Sequence, residues 1–194
     1  MKFDDLNKLK RFFSVMEVDD IDKRVSFAQE LNEALLYILL LINTEYKLGR
    51  EIEASDYYEP LERRIEDTLN NHGLPIEQGY TATISKEIID TTFRHLDDKY
   101  YTSQERALLI AQNEANTAFN HKDYITAKGE GKTSKTWVTY GDEKVRNAHE
   151  DVNMIRIPID ELFDVGGDRM RYPHDFTNGS PENLINCRCV CVYE

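Results

Sequence analysis

The residues best suited to chemistry are three cysteines that lie within five positions near the end of the sequence, Cys187, Cys189 and Cys191. In an extended segment alternate side chains share one face, so the pattern predicts three thiols that point the same way. A structural zinc ion takes thiolate and imidazole ligands, and Cys187 and Cys189 with His149 and His174 would supply them. Packing of the cysteines as small apolar groups stays open as the alternative, because the usual zinc spacing is C-x2-C.

A second group of polar residues, Asp142, Arg146 and His149, forms a D-x3-R-x2-H pattern. Offsets of four and seven positions predict that the three side chains lie on one side of a short helix, with Asp142 as its N-cap. A solvated polar helix face is the alternative interpretation. An enzyme centred on His149 with Cys187 and Cys189 would be a thiol- or metal-dependent hydrolase, but no oxyanion hole is marked in the sequence.

The composition restricts the classes of partner. The chain has 36 acidic and 24 basic residues, a net charge of −12, and an acidic surface repels phosphate backbones. We therefore expect no autonomous nucleic-acid binding. The most apolar run, residues 34–42, is short of the roughly 20 residues that a membrane span needs. We interpret it as a buried helix segment and expect no membrane partner.

The first 120 residues are predicted to form about five helices, because apolar residues recur at helical spacing. The first helix carries an apolar face from Phe3 to Met16. The second starts at Asp19 or Asp20 and ends at Gly49. The other three helices are predicted to start near Pro60, near Thr83 and at a capping box formed by Thr102 and Glu105, and to end near residues 71, 98 and 120.

The pattern changes after residue 120 to one of short strands and turns. Residues 121–135 are predicted to be a loop or hairpin linker. The elements expected after it are a strand at 137–140, a helix at 143–150, an extended stretch at 154–159, a helical turn at 160–163, a turn at Gly166–Gly167, a polar loop at 173–183 and a strand at 186–193. The predicted fold class is α+β, with a helical region over residues 1–101 and a small α+β module over residues 102–194 that ends in a strand.

Several motifs of the C-terminal part follow one another in the order and spacing of a known family. The chain resembles the Mu F-like head morphogenesis family, the minor head proteins of tailed bacteriophages, over about residues 103–191. The motifs are K-x-W, D-x3-R-x2-H, P-x-D and N-C-R-C, and beyond the candidate ligands their positions include Trp137, Asp142, Arg146, Pro173, Asp175 and Asn186.

The resemblance implies a function. Members of this family are low-copy proteins of the procapsid interior, thought to contact the portal and to assist head assembly or genome delivery. We therefore expect a non-enzymatic virion protein that is made in the bacterial host cytoplasm. Its partners would be the portal protein and the capsid interior, and the portal could impose an oligomer. The resemblance also implies that the Asp142, Arg146 and His149 face meets the Cys187 and Cys189 pair in one site.

An enzyme is the alternative, since some Mu F-like proteins carry toxin domains such as ADP-ribosyltransferases. That chemistry uses an arginine, a Ser-Thr-Ser-like strand and a later Glu-x-Glu or Gln-x-Glu. The one Glu-x-Glu in this sequence, Glu51-Ile52-Glu53, comes early. The chain also departs from the family where the helix before the linker commonly reads R-T-E, because it has Gln112-Asn113-Glu114 there.

Overall fold

The computed structural model describes residues 3–14, 18 and 20–194, with side chains from residue 5 onward. Within that part of the chain, helices come first and short strands follow, which confirms the α+β fold class. The α-helices are α1 (Phe3–Phe13), α2 (Ile21–Lys47), α3 (Ser55–Asn71), α4 (Tyr80–Arg94), α5 (Gln104–Gly129), α6 (Asn147–Glu150) and α7 (Pro181–Leu184). The strands are β1 (Ser134–Val138), β2 (Arg156–Pro158), β3 (Phe163–Val165), β4 (Asp168–Met170) and β5 (Val190–Tyr193).

The chain divides into two compact units. The helical unit consists of the residues up to Asn7 together with Val25–Gln112, and the mixed unit consists of Lys8–Arg24 together with Asn113–Glu194. All the strands that the described residues form belong to the mixed unit. The predicted functional division between residues 101 and 102 stays a prediction.

Helix α2 has a buried and an exposed face over residues 34–42, although nearly all the side chains of this run are apolar. Leu35, Ile38, Leu39 and Ile42 of the apolar run are buried at helical spacing. Tyr37, Leu40 and Leu41 of the same run are exposed, so the interpretation of residues 34–42 as a buried segment is wrong for the outer face of the helix.

The whole of helix α2, rather than its most apolar run, has the length and composition of a membrane span. It is 27 residues long, and its most apolar 18-residue window has a mean hydropathy of 1.5. Half of that window is buried inside the structure, and the core helix of a soluble protein has the same length and composition. The feature is therefore weak evidence for a membrane.

Two helices begin at residues that differ from the predictions. Helix α3 begins at Ser55, five residues before Pro60, because Tyr57 is buried and its hydroxyl donates to the Glu45 carboxylate. Helix α5 is capped by Ser103 rather than Thr102, since the Ser103 hydroxyl accepts from the backbone N–H of Arg106 at 3.2 Å. The predicted positions Met16 and Asp19 lie outside the described residues.

Helix α5 is nine residues longer than expected, and the loop predicted over residues 121–135 is wrong as far as Gly129. The cause is burial: Tyr124 and Ala127 pack with Ile159 and Tyr172 in an apolar cluster. The His121 ring also hydrogen-bonds to the Tyr172 hydroxyl at 2.8 Å. Because the stretch is rich in polar residues, its sequence does not indicate that one face of the helix is buried by residues far away in the chain.

The mixed unit contains an antiparallel sheet in the order β2–β1–β5, in which Trp137 lies opposite Cys191. Strands β3 and β4 form a separate hairpin that turns at Gly166 and Gly167, as predicted. The helical turn expected at residues 160–163 is absent because β3 begins at Phe163, whose buried ring packs edge-to-face on Trp137 at 5.2 Å.

A fully buried arginine ties the start of α2 to α5 within the mixed unit. The Arg24 guanidinium donates to the side-chain oxygens of Asp20 at 2.7 Å and Asn116 at 3.1 Å. It also reaches Asn120 at 3.5 Å and Asp123 at 3.3 Å. Removing the cation would leave two buried asparagines without their donor, and losing one member of a buried ionic network is costly.

We predict that Arg24→Ala lowers the free energy of unfolding of the mixed unit by about 3–5 kcal/mol. The matched control is Arg156→Ala in the same unit, which removes an ion pair with Glu194 whose side chains are 58% and 56% exposed. That control should cost about 0–1 kcal/mol. Urea denaturation of both variants tests the comparison, and equal losses would contradict a structural role for Arg24.

Candidate metal centre

The backbone that carries the cysteines is irregular. Strand β5 begins at Val190, so the strand predicted over residues 186–193 is wrong for its first four residues. Cys191 lies in β5, whereas Cys187 and Cys189 precede it. Asn186 has a φ of 59°, a left-handed conformation that turns the chain just before Cys187. The three thiols therefore do not lie along one strand.

Asparagines on one face of α5 hold this segment in place of a neighbouring strand. Asn113 Oδ1 accepts from the backbone N–H of Asn186 at 2.6 Å, and Asn116 Nδ2 donates to the carbonyl of Cys187 at 3.1 Å. Asn120 Nδ2 donates to the carbonyls of Pro173 at 3.0 Å and Cys189 at 3.4 Å. We call these three side chains the asparagine ladder. They were not among the predicted site residues, although offsets of three and four positions indicate that they share one face of a helix.

One imidazole and two thiols meet in the mixed unit. His149 Nδ1 lies 3.4 Å from Cys189 Sγ and 3.6 Å from Cys187 Sγ, and the three ligand atoms all lie within 4.8 Å of one another. Their exposed fractions are 1% for His149, 2% for Cys187 and 3% for Cys189, so the group is almost sealed from solvent. The structure thus brings together three of the four residues predicted as zinc ligands.

The fourth predicted ligand, His174, lies beside the group but outside it. Its Nε2 hydrogen-bonds to the backbone carbonyl of Cys187 at 2.8 Å. Burial opposes the charged ring, yet interactions with Cys187 outweigh it and raise the pKa of His174. Cys191 is half-buried in β5, and burial raises the pKa of its thiol to about 12, which fits a packing role. Metal binding by these residues stays a prediction.

A residue that the sequence did not single out orients His149. Asn183 Nδ2 donates to the carbonyl of Val165 and to the Asp168 carboxylate, both at 2.8 Å. Its Oδ1 therefore faces His149 Nε2 at 3.3 Å and must accept a hydrogen bond from that nitrogen. With the proton on Nε2, the lone pair of Nδ1 faces the two sulfur atoms.

The two thiols have opposite electrostatic environments. Burial acts against ionisation of Cys187, but side-chain hydrogen bonds, first the one from Cys189, outweigh it and hold the pKa of Cys187 well below its ordinary value. The hydrogen bond to Cys187 and then burial raise the pKa of Cys189. Cys187 is therefore the more acidic thiol of the pair.

Asp142 and Arg146 reach the same segment, but from a turn rather than a helix. Helix α6 contains only Asn147–Glu150, so the helix predicted over 143–150 is wrong for its first four residues, and Arg146 rather than Asp142 is at its N-cap. Asp142 instead accepts from the Lys144 backbone and pairs with both terminal nitrogens of Arg188 at 2.7 and 2.8 Å. The hydrogen bond from Arg188 lowers the pKa of Asp142. Arg146 donates to the carbonyl of Ile185.

The remaining motif positions support the surroundings of the site. Trp137 is fully buried and lies edge-to-face against His149, with ring centroids 5.7 Å apart. Pro173 offers its carbonyl to the asparagine ladder. Asp175 is fully buried and bonds to the Arg171 guanidinium, and Asn186 contributes a backbone N–H. These residues position the segment, and Trp137 also packs against the His149 ring.

The buried lysine of the K-x-W motif gives a pH-dependent prediction. Burial lowers the pKa of Lys135 to about 8, and its Nζ lies 5.3 Å from the ring centroids of both Tyr124 and Phe163. Between pH 8 and about 10.4 the Lys135 side chain binds more protons in the unfolded chain than in the folded chain. Its contribution to the free energy of unfolding therefore rises with pH in this range.

We therefore predict that the wild type gains stability relative to Lys135→Met as pH rises from 8 to 10, measured as the difference between their free energies of unfolding. The shift should be at most about 3 kcal/mol. Thermal and urea unfolding at each pH measure it, and Lys144→Met, at an exposed lysine of the same unit, controls for the lost charge. A pH-independent difference at Lys135 would contradict a buried ammonium group.

The chain is 28% identical over 103 residues to a protein of Enterococcus faecalis (strain ATCC 700802 / V583) described as NAD(+)--arginine ADP-ribosyltransferase EFV. The matched region is 51% of this chain and 21% of that protein, so the chain spans about a fifth of the length of this relative. No solved structure matches the chain.

A sequence model of one family covers most of the chain. The family is described as Phage Mu protein F like protein, and the match runs over residues 48–192. It includes all the candidate ligands and extends upstream of the region where the motifs lie. The chain therefore belongs to the phage Mu protein F-like family, which indicates a phage head protein.

Proposed function

We propose that the protein is a minor head protein of a tailed bacteriophage or prophage that acts in head morphogenesis and genome delivery by contacting the portal. The observation that carries this proposal is the family match over residues 48–192. The protein is synthesised in the bacterial host cytoplasm and resides in the head interior, against the portal and the capsid. Any oligomer follows the symmetry of the portal.

The outer face of helix α2 suits such a contact. Tyr37 and Leu40 of α2 are 55% and 45% exposed, Leu48 directly after the helix is 65% exposed, and Leu41 lies on the same face. Large apolar side chains grouped on a surface favour protein–protein association. We call these four residues the α2 outer face. The Arg64 guanidinium stacks on Tyr37, 4.1 Å from the ring centroid, which adds a cation beside the apolar face.

The charge of the protein supports a protein partner rather than the genome. A net charge of −12 repels nucleic-acid phosphates, so contact with packaged DNA is disfavoured. The same charge favours a partner surface that carries basic residues, because complementary potentials steer association. No membrane partner is needed for this function.

A non-enzymatic function fits the burial of the most reactive groups. Cys187 and Cys189 are 2% and 3% exposed, which leaves little access for a substrate. Glu51-Ile52-Glu53 lies in an irregular segment before α3 instead of in a strand. The name of the Enterococcus faecalis relative describes a protein of which this chain matches 21%, and it does not carry an activity over to this chain.

We predict that the protein co-purifies with the portal protein encoded by a neighbouring gene when the two are co-expressed. The double variant Leu40→Glu, Leu48→Glu should reduce that recovery at least about tenfold, because two charges would be buried in the contact. The matched control is Met154→Glu in the mixed unit, where the side chain is 69% exposed, and it should leave recovery unchanged.

Two results would contradict the proposed function. One is the absence of portal from the purified wild-type complex. The other is consumption of NAD or hydrolysis of a substrate by the purified chain, abolished by His149→Ala with the fold retained in circular dichroism. Loss of recovery with both the double variant and Met154→Glu would move the contact away from the α2 outer face.

A further inference from the structure

We propose that His149, Cys187 and Cys189 bind one zinc ion through Nδ1 and two thiolates, with a solvent molecule as the fourth ligand. The site belongs wholly to the mixed unit and does not rest on the proposed function. The ion joins the turn that carries α6 to the irregular segment before β5.

The distances between the ligand atoms match a tetrahedral ion. Zinc bonds of about 2.3 Å to sulfur and 2.0–2.1 Å to nitrogen place neighbouring nitrogen and sulfur ligands about 3.5 Å apart. The Nδ1 atom of His149 lies 3.4 Å from one sulfur and 3.6 Å from the other. The two nitrogen–sulfur edges are therefore already at the length that coordination requires, and all three ligand atoms lie within 4.8 Å of one another.

The atoms around the ligands favour the metal-binding form. Asn183 fixes the proton of His149 on Nε2, and so leaves Nδ1 free to ligate, in the way that outer hydrogen bonds orient histidines at metal sites. The Asp168 carboxylate holds the Asn183 amide in turn. The backbone N–H of Cys189 also points at Cys187 Sγ at 3.4 Å, a bond that stabilises a thiolate.

The charge of the complete site suits an apolar interior. Cys187 and Cys189 belong to a cluster with Trp137, Phe163 and Val165. Two bare thiolates would be costly there, because burying unpaired charge is unfavourable. One divalent cation with two thiolates and a neutral imidazole has no net charge, so the ion would remove that cost.

The fourth position faces a small pocket. The pocket is lined by the three ligands and by polar residues of the surrounding loops that include Tyr140, Arg146 and Arg188. It has room for about one water molecule. His174 lies outside the group of three ligand atoms and its Nε2 bonds to the Cys187 carbonyl, so we place solvent at the fourth position.

The first test is the metal content of the full-length chain, produced in zinc-supplemented medium without a metal-binding tag and measured by elemental analysis. We expect about one zinc per chain in the wild type, because the group offers one set of ligands. Cys187→Ser and Cys189→Ser should each lose most of the metal. Cys191→Ser is the matched control, a thiol two positions away, and should keep it.

The second test concerns geometry and orientation. Replacement of zinc by Co²⁺ should give the visible bands of a tetrahedral ion and a thiolate charge-transfer band. Asn183→Leu, which keeps the volume but not the acceptor, should weaken zinc binding about 10- to 100-fold in competition with a chromophoric chelator. His174→Gln should retain the metal.

A third measurement avoids the folding of variants altogether. Chelation of the wild type should lower the Tm of the mixed unit by about 10 °C and expose Cys187 and Cys189 to alkylation, and added zinc should reverse both changes. A wild type without zinc and without a chelator effect overturns the proposal. Release of metal by His174→Gln, or by Cys191→Ser as much as by Cys187→Ser, overturns the ligand assignment.

Discussion

Hydrogen bonds from the side chains of one helix to the backbone of a distant irregular segment are the interaction on which the mixed unit depends. The asparagine ladder of α5 satisfies backbone groups of Asn186, Cys187, Cys189 and Pro173 that no strand pairs with. Buried polar backbone groups must be satisfied. The ladder lets the chain run through the interior without regular structure, and Arg24 fixes the ladder in turn.

The candidate site is consequently built from turns that are held individually. Helix α6 supplies His149, Asn183 of α7 orients it, and the segment before β5 supplies the thiols. An ion pair between Asp142 and Arg188 also holds this segment in place. Each part is positioned by hydrogen bonds instead of by an extended sheet. Such an arrangement can hold ligand atoms at the spacing that a metal needs and keep them away from solvent.

The sequence predicted the parts of the fold that depend on local periodicity. The existence of the five long helices, the Gly166–Gly167 turn and the family motifs all follow from spacing or residue type. It failed where a polar residue is buried by a distant partner. The end of α5 reads as a loop because His121 and its neighbours are polar, and its helical state depends on Tyr172. Asn183 could not be identified from the sequence, because its three hydrogen-bond partners are distant from it in the chain. It donates to Val165 and Asp168 and accepts from His149.

The division of the chain has a consequence for the order of folding during synthesis. Residues Val25–Gln112 of the helical unit intervene between the two segments of the mixed unit. Arg24 is 92 positions from Asn116 and 99 from Asp123, so these two partners leave the ribosome long after it does. The helical unit can complete its contacts while the mixed unit waits for residues near Glu194. Closing so long a loop is slow, which makes the mixed unit the late-folding part of the protein.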